Sequence, residues 1–291
     1  MMYPETTTRY QGFTLIELLV VISIISLLSS VVLSTLNSAR DRARISAGLQ
    51  FAQTLDGVAG DQAVGMWDFN ECSGVTMSDR SGYGNGGAIA SGISWSNMSP
   101  NNQGCSIVMN GTAPITYAGG STNVPAYQLG TGNLTVAGWI YPTANPSCSH
   151  NVNVLSSWGN PVRMALGMNC NGNVAGMMID SAGTNKSFST SQKIPLNRWT
   201  FLAMVVDRSA NVVSIYINGT ATSVSNFSIS GMAGNLNLNG PLLSGASAGG
   251  TTGYLTGNIT KVRLYAKTLT ATEIGALYAI ESEGLPTVAS R

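Results

Sequence analysis

The sequence predicts an α+β chain: a long N-terminal α-helix followed by an all-β sandwich. Three observations carry that prediction. An apolar run from Phe13 to Leu36 opens a stretch that holds no proline until Pro100. From Met66 onward, short apolar runs alternate with turns rich in Gly, Asn and Ser. Charged residues make up 9% of the 291 residues and apolar ones 44%, a balance that suits a packed β-domain with polar turns and excludes a disordered chain. The formal net charge of +1 supplies no field to attract nucleic acid, so no nucleic-acid partner is expected.

The run FTLIELLVVISIISLLSSVVLSTL is long enough to cross a hydrocarbon core of ~30 Å as a helix. It is too long for a signal-peptide core, and no small-x-small cleavage site follows it. Residues 1–12 form a short leader ending in Gly12. Beyond the run, Ala39, Ala43, Leu49, Ala52 and Leu55 recur at helical spacing, so a helical segment is expected over 13–62. Gly48, Gly57, Gly60 and Gly65 are expected to loosen its far end. Arg40, Arg42 and Arg44 read as solvated charges on the helix face, beside Asp41. Glu17 is the one charge within the apolar run. A carboxylate there costs several kcal/mol unless it finds a partner.

The motif Gly12-Phe13-Thr14-Leu15-Ile16-Glu17, followed at once by LLVVISII, resembles the N-terminus of the type IV pilin and pseudopilin family. The resemblance implies that a membrane prepilin peptidase cuts after Gly12 and that Phe13 becomes an N-methylated terminus. Glu17 would then face the amine of Phe13 on a neighbouring subunit, a pairing that makes both charges tolerable in an apolar helix core. Many family members carry a helix-breaking proline where this chain has Ser34, so a kink there is not expected. The implied partners are other pilin subunits. The implied location is the cytoplasmic membrane before assembly, then a pilus or the cell surface.

Cys72, Cys105, Cys148 and Cys170 all follow the apolar segment, and none shows the C-x-x-C spacing of a zinc or redox motif. On the outer side of a membrane they read as two disulfides. Three connectivities exist. We favour Cys72–Cys105 with Cys148–Cys170, which keeps each bridge within one part of the chain.

Strands are predicted over Leu134–Tyr141, Trp199–Asp207, Val212–Ile217 and Asn258–Tyr265. Residues 208–211 read as a hairpin loop and Asn218-Gly219 as a tight turn. Thr270–Ile280 is the one late helical stretch, with Thr270 as N-cap and Glu273 three residues on. Trp67, Trp139, Trp199 and Tyr216 sit in or beside strands and read as core residues rather than as sugar platforms.

In order, GMWDFNECSG, DRSGYGNGG, LTVAGWIYP, RWTFLAMVVDRSANVVSIYINGT and GNITKVRLYAKTLTATEIGALY resemble the laminin G-like, concanavalin A-like family. That resemblance implies a jelly-roll sandwich over 63–283, a C-terminal tail over 284–291, and a carbohydrate or surface-protein ligand. Some members hold Ca²⁺. The candidate oxygens here, Asp79, Asn85 and Asp180, are too few and scattered to define a site, and Asn110 stands where the family often has aspartate.

The fold also hosts glycoside hydrolases, which need two carboxylates across the scissile bond. No strand carries such a pair, and Glu281 and Glu283 read as part of a tail after the last helix. His150 is the only histidine and lies in a polar loop. No catalytic residues and no enzyme activity are expected. The combined reading is a pilus subunit of minor or display type with an adhesive β-domain. Alternatives are a pseudopilin of a type II secretion or DNA-uptake system, or an anchored binding protein that does not polymerise.

Overall fold

The computed structural model describes residues 14–30, 32, 62–117, 125–148, 151–224, 226–247 and 253–283. The chain divides into two compact units, Met1–Gln50 and Phe51–Arg291.

In the first unit, helix α1 covers 15–30. Its surface is apolar all round, from Leu15 at 82% exposed to Val21 at 47%. Such a face asks for lipid or other helices. Three of its four serines are satisfied locally. Ser23 donates to the Leu19 carbonyl at 2.6 Å, Ser26 to that of Ile22 at 2.7 Å and Ser30 to that of Leu27 at 2.8 Å, so these three hydroxyls do not need water. Among the described residues no helix is long and apolar enough to cross a membrane. Most of the expected continuation, 33–61, lies outside the described residues, with Ser34, the three arginines, Gly48, Gly57 and Gly60.

In the second unit the strands begin with β1 (Ala63–Trp67), β2 (Thr76–Met77), β3 (Gly87–Ile89), β4 (Ser94–Ser96), β5 (Ser106–Asn110) and β6 (Ile115–Tyr117). The longer strands follow as β7 (Leu134–Pro142), β8 (Val152–Trp158), β9 (Arg163–Met168), β10 (Asn173–Ile179), β11 (Asn185–Lys193), β12 (Thr200–Asp207) and β13 (Val212–Ile217). Last come β14 (Thr220–Ala221), β15 (Phe227–Ser228), β16 (Leu242–Ser244), β17 (Thr256–Tyr265) and helix α2 (Ala271–Glu283).

One sheet runs β14-β13-β12-β7-β17-β5-β4, with β1 also on β17 and β15 also on β13. The other runs β11-β10-β9-β8-β16-β6-β3-β2. This is the two-sheet, jelly-roll-like sandwich expected from the strand and turn pattern. The described strand pairs are antiparallel, so each strand can bury one face and leave the other for a second layer.

Between the sheets lies the main core, with Trp67, Leu134, Val136, Ile140, Met164, Leu166, Leu202, Met204, Ile259 and Leu264 among its members. The opposite face of the nine-stranded sheet is covered too. There Ala137, Trp139, Phe201, Ala203 and Tyr265 pack with Ile274 and Leu277 of α2. Double burial explains why β7 and β12 read as nearly continuous apolar runs rather than strict alternations. Trp67, Trp139 and Tyr216 are buried core residues, and Trp199 is half-buried against the second cluster.

Strand β17 is shared. Residues 256–259 pair with β5, and 262–265 pair with β1. Between them the register shifts, and Lys261 takes a positive φ of 51°. Gly65, expected to loosen a helix end, instead lies in β1, where the Trp67 ring occupies the space a side chain would need. The Asn218-Gly219 turn has φ of 49° and 75°, the left-handed pair that a two-residue hairpin demands. At the start of α2, Glu273 N–H donates to Thr270 Oγ1 at 3.2 Å and Thr270 N–H to Glu273 Oε2 at 2.7 Å, the expected capping box.

Candidate functional site

Gly12 and Phe13 lie outside the described residues. Thr14 is the first residue described and caps α1. Its N–H and its hydroxyl both donate to Glu17 Oε2 at 2.8 Å, and its Oγ1 accepts the Glu17 N–H at 3.3 Å. Within one chain, then, Glu17 closes a capping box on its own helix. The T-x-x-E spacing carries that signal, and sequence reasoning directed at a neighbour's amine overlooked it. The box gives the Glu17 carboxylate two donors from its own helix start.

In the β-domain, disulfides join Cys72 to Cys105 and Cys148 to Cys170, spanning 33 and 22 residues, and the chain has no free cysteine. The first ties the loop after β1 to the residue before β5. The second ties the β7–β8 connection to the turn between β9 and β10.

The three oxygen-bearing residues weighed as metal ligands are turned inward to organise loops. Asp79 accepts from the backbone N–H groups of Met66, Ser81 and Asn85, each at 2.9 Å. Asn85 donates to the Val64 carbonyl at 2.9 Å. Asp180 accepts from Ala182, Thr184 and Gly234 N–H at 3.1, 2.8 and 2.8 Å. The carboxylate lone pairs of Asp79 and Asp180 are committed to protein donors. Among the described residues no group of three or more His, Cys, Asp or Glu could hold a metal ion.

The strongest electrostatic cluster is structural. Arg263, on β17, reaches Asp68 at 2.8 Å on one side and pairs with Glu281 on the other, and Arg80 also pairs with Asp68. Burial raises the Asp68 carboxyl, but the Arg263 charge and the hydrogen bonds from Arg80 and Arg263 outweigh it and hold its pKa at about 2. Burial works against the Arg263 charge, and Glu281 and Asp68 more than restore it. Both carboxylates are consumed in holding β17 and α2, so neither is placed for acid–base work. Glu281 and Glu283 do not belong to a tail: α2 continues through Glu283, and Glu281 is only 4% exposed. The signal missed was the i+7 spacing of Ile274 and Glu281, which sets both on one face of the helix. His150 lies outside the described residues.

One indole lies toward the surface with a cation on it. The Arg163 guanidinium stands 3.7 Å from the centre of the half-buried Trp158 ring, so that face is already covered.

The described residues thus form a two-sheet antiparallel sandwich with most of its large aromatics buried, preceded in the chain by a capped apolar helix. Residues 116–275 match the model of the concanavalin A-like lectin/glucanases superfamily, and the chain belongs to it. Residues 7–33 match the prokaryotic N-terminal methylation motif. No curated protein matches the chain. Among solved structures, the binding domain of Paraclostridial Mosquitocidal Protein 1 is similar at a TM-score of 0.60 and 14% identity, covering 76% of this chain and 52% of that one. The Botulinum neurotoxin serotype G binding domain gives 0.57 and 17%, covering 75% and 51%. The chain thus spans about half the length of these structures. Domain 4 of AbnA, a GH43 extracellular arabinanase from Geobacillus stearothermophilus solved with arabinotriose, gives 0.55 and 20%, covering 75% and 98%. At these identities the likeness is one of fold.

Proposed function

We propose that the chain is a type IV pilin-like subunit of minor or display type, whose lectin-like domain serves adhesion or surface binding. The observation that carries this reading is the order of its two parts: a methylation motif over 7–33, then a concanavalin A-like domain over 116–275. Prepilin peptidase cuts after Gly12, and Phe13 becomes the methylated N-terminus. The helix over 13–62 is held in the cytoplasmic membrane until assembly, and the β-domain over 63–283 is then displayed on a pilus or the cell surface.

The capping box supplies a physical route for assembly. While Thr14 donates two hydrogen bonds to it, the Glu17 carboxylate is partly satisfied within its own chain. A neighbour's terminal ammonium can then take over as a stronger, charged donor. The β-domain binds rather than reacts, since its buried acids are held in ion pairs and backbone hydrogen bonds.

Intact mass and N-terminal sequencing of the protein from its native cells test the reading. A chain starting at N-methylated Phe13 and recovered in sheared surface filaments is expected. Retention of residues 1–12 would overturn the pilin reading in favour of a plain anchor, and processed protein absent from filaments would point to a pseudopilus.

A further inference from the structure

The sandwich has an open side where the edge strand β11 of one sheet passes the β14–β15 connection and β15 of the other. A cavity of about 460 Å³ lies there, lined by Ser187, Phe188 and Ser189 from β11 and by Ser223, Val224, Asn226 and Phe227 opposite. Its size falls in the range of small-molecule sites.

Its apolar wall is built, not incidental. Phe188 pairs across the ladder with Gly176, and its ring fills the space a side chain at Gly176 would need. Phe227 leans on it with ring centres 5.7 Å apart and 56° between planes, half-buried against the main core beside Val224. On β11 the Ser187 hydroxyl already donates to Asn185 Oδ1 at 3.2 Å, so the free polar tips lie on the opposite wall. Asn226 adopts φ of 64°, with its N–H donated to Ser214 Oγ at 3.2 Å, and Val224 N–H is held by Thr222 Oγ1 at 3.2 Å. The Asn226 amide and the Ser223 hydroxyl bond no described group. Ser189 accepts from Asn169 at 3.2 Å, which leaves its own proton toward the mouth or the Thr190 carbonyl at 3.5 Å. None of the lining residues ionises.

We propose that this mouth binds a neutral sugar, an inference that rests on the lectin reading above and gives it a location. A pyranose presents both halves of the required chemistry: a C–H face for Phe227, which the buried Phe188 backs, and hydroxyls that both donate and accept. The Asn226 amide and the Ser223 hydroxyl match such a ring at reduced ordering cost, because the Val224 and Asn226 backbone N–H groups are already held. A phosphate or carboxylate ligand finds no charge within the lining, and Lys186 lies beside it on β11 rather than in it.

The test applies the full chain in detergent to surfaces bearing neutral hexose oligosaccharides and to matched sialylated ones. Saturable binding to a neutral surface is expected. Asn226→Gly, which keeps the left-handed backbone and removes only the amide, and Phe227→Leu, which keeps apolar fill, should each weaken it about tenfold. Tyr83→Ala, on the exposed loop after β2, should leave it unchanged, and unaltered melting midpoints exclude unfolding as the cause. Neutral binding untouched by both pocket variants overturns this inference and leaves the lectin reading standing. Binding to the sialylated surface alone overturns the neutral class. Binding to no glycan overturns site and lectin reading together.

Discussion

The indole N–H of Trp139, in the middle of β7, donates to Glu281 Oε2 at 2.6 Å, across 142 residues of chain. The other oxygen of that carboxylate takes the guanidinium of Arg263, at 2.8 Å from its Nε. One acidic side chain thus fastens α2 to two strands at once. Glu281→Ala leaves the buried Arg263 with Asp68 alone and frees the Trp139 N–H, and should lower unfolding free energy by about 3 kcal/mol, read by urea titration. Trp139→Phe removes only the single bond and part of the ring, and should cost about half as much.

Strong acid should act on Asp68, at the other end of the same cluster. The Asp68 carboxyl is held at about 2, below its model-compound value of 3.8. A depressed carboxylate contributes stability that is complete above its unfolded pKa and lost as pH falls through the folded one. About 2 kcal/mol should therefore disappear between roughly pH 4 and pH 2. Asp68→Asn should flatten that part of the stability–pH curve, and a slope unchanged by the substitution would assign the effect elsewhere.

Removing the bridge between Cys72 and Cys105, by replacing both with serine, frees a loop of 33 residues in the unfolded chain. A loss of about 3–4 kcal/mol is expected from loop-closure entropy. Non-reducing mass mapping of the parent chain checks the pairing itself.

Gly65→Ala should be costlier than its size suggests. A Cβ there would stand 2.2 Å from the Trp67 ring, which is completely buried and donates to the Asn85 carbonyl at 2.7 Å. Neither partner can yield without breaking that bond, so about 2–3 kcal/mol of overpacking strain is expected, seen as a lower melting midpoint.

At the helix start, Glu17→Ala should leave the protein in the membrane but impair filament assembly. Thr14→Ala, which removes the capping hydroxyl alone, should destabilise the helix start by about 1 kcal/mol and affect assembly less. Membrane fractionation beside filament yield reads both effects. Normal filament incorporation of the Glu17 variant would end its assigned role.

Much of the architecture was legible because local chemistry and tertiary fate agreed. Asn218-Gly219 could only be a tight turn, Thr270 with Glu273 could only open a helix, and β13 shows the predicted bounds. What escaped notice lay where a residue's role depends on distant partners. Nothing local marks Lys261 as a bulge, because the shift is one of register between β17 and the distant β7. Glu281 looked like a tail residue because its partners lie in β7 and β17. The two phenylalanines of the open side were equally silent, being far apart in sequence and joined only by the sandwich edge.

The position of Cys72, nine residues past the start of β1, has a mechanical consequence. Tension entering the domain from its N-terminal side falls first on β1, which is held by its ladder with β17 and by the seated Trp67 ring. Should β1 peel away, the chain can pay out only as far as Cys72, roughly 30 Å of extended backbone. There the bond to Cys105 passes the load directly to β5, in the body of the same sheet. The first strand is a yielding element and the disulfide its stop, so a pulled domain would lengthen once and then hold.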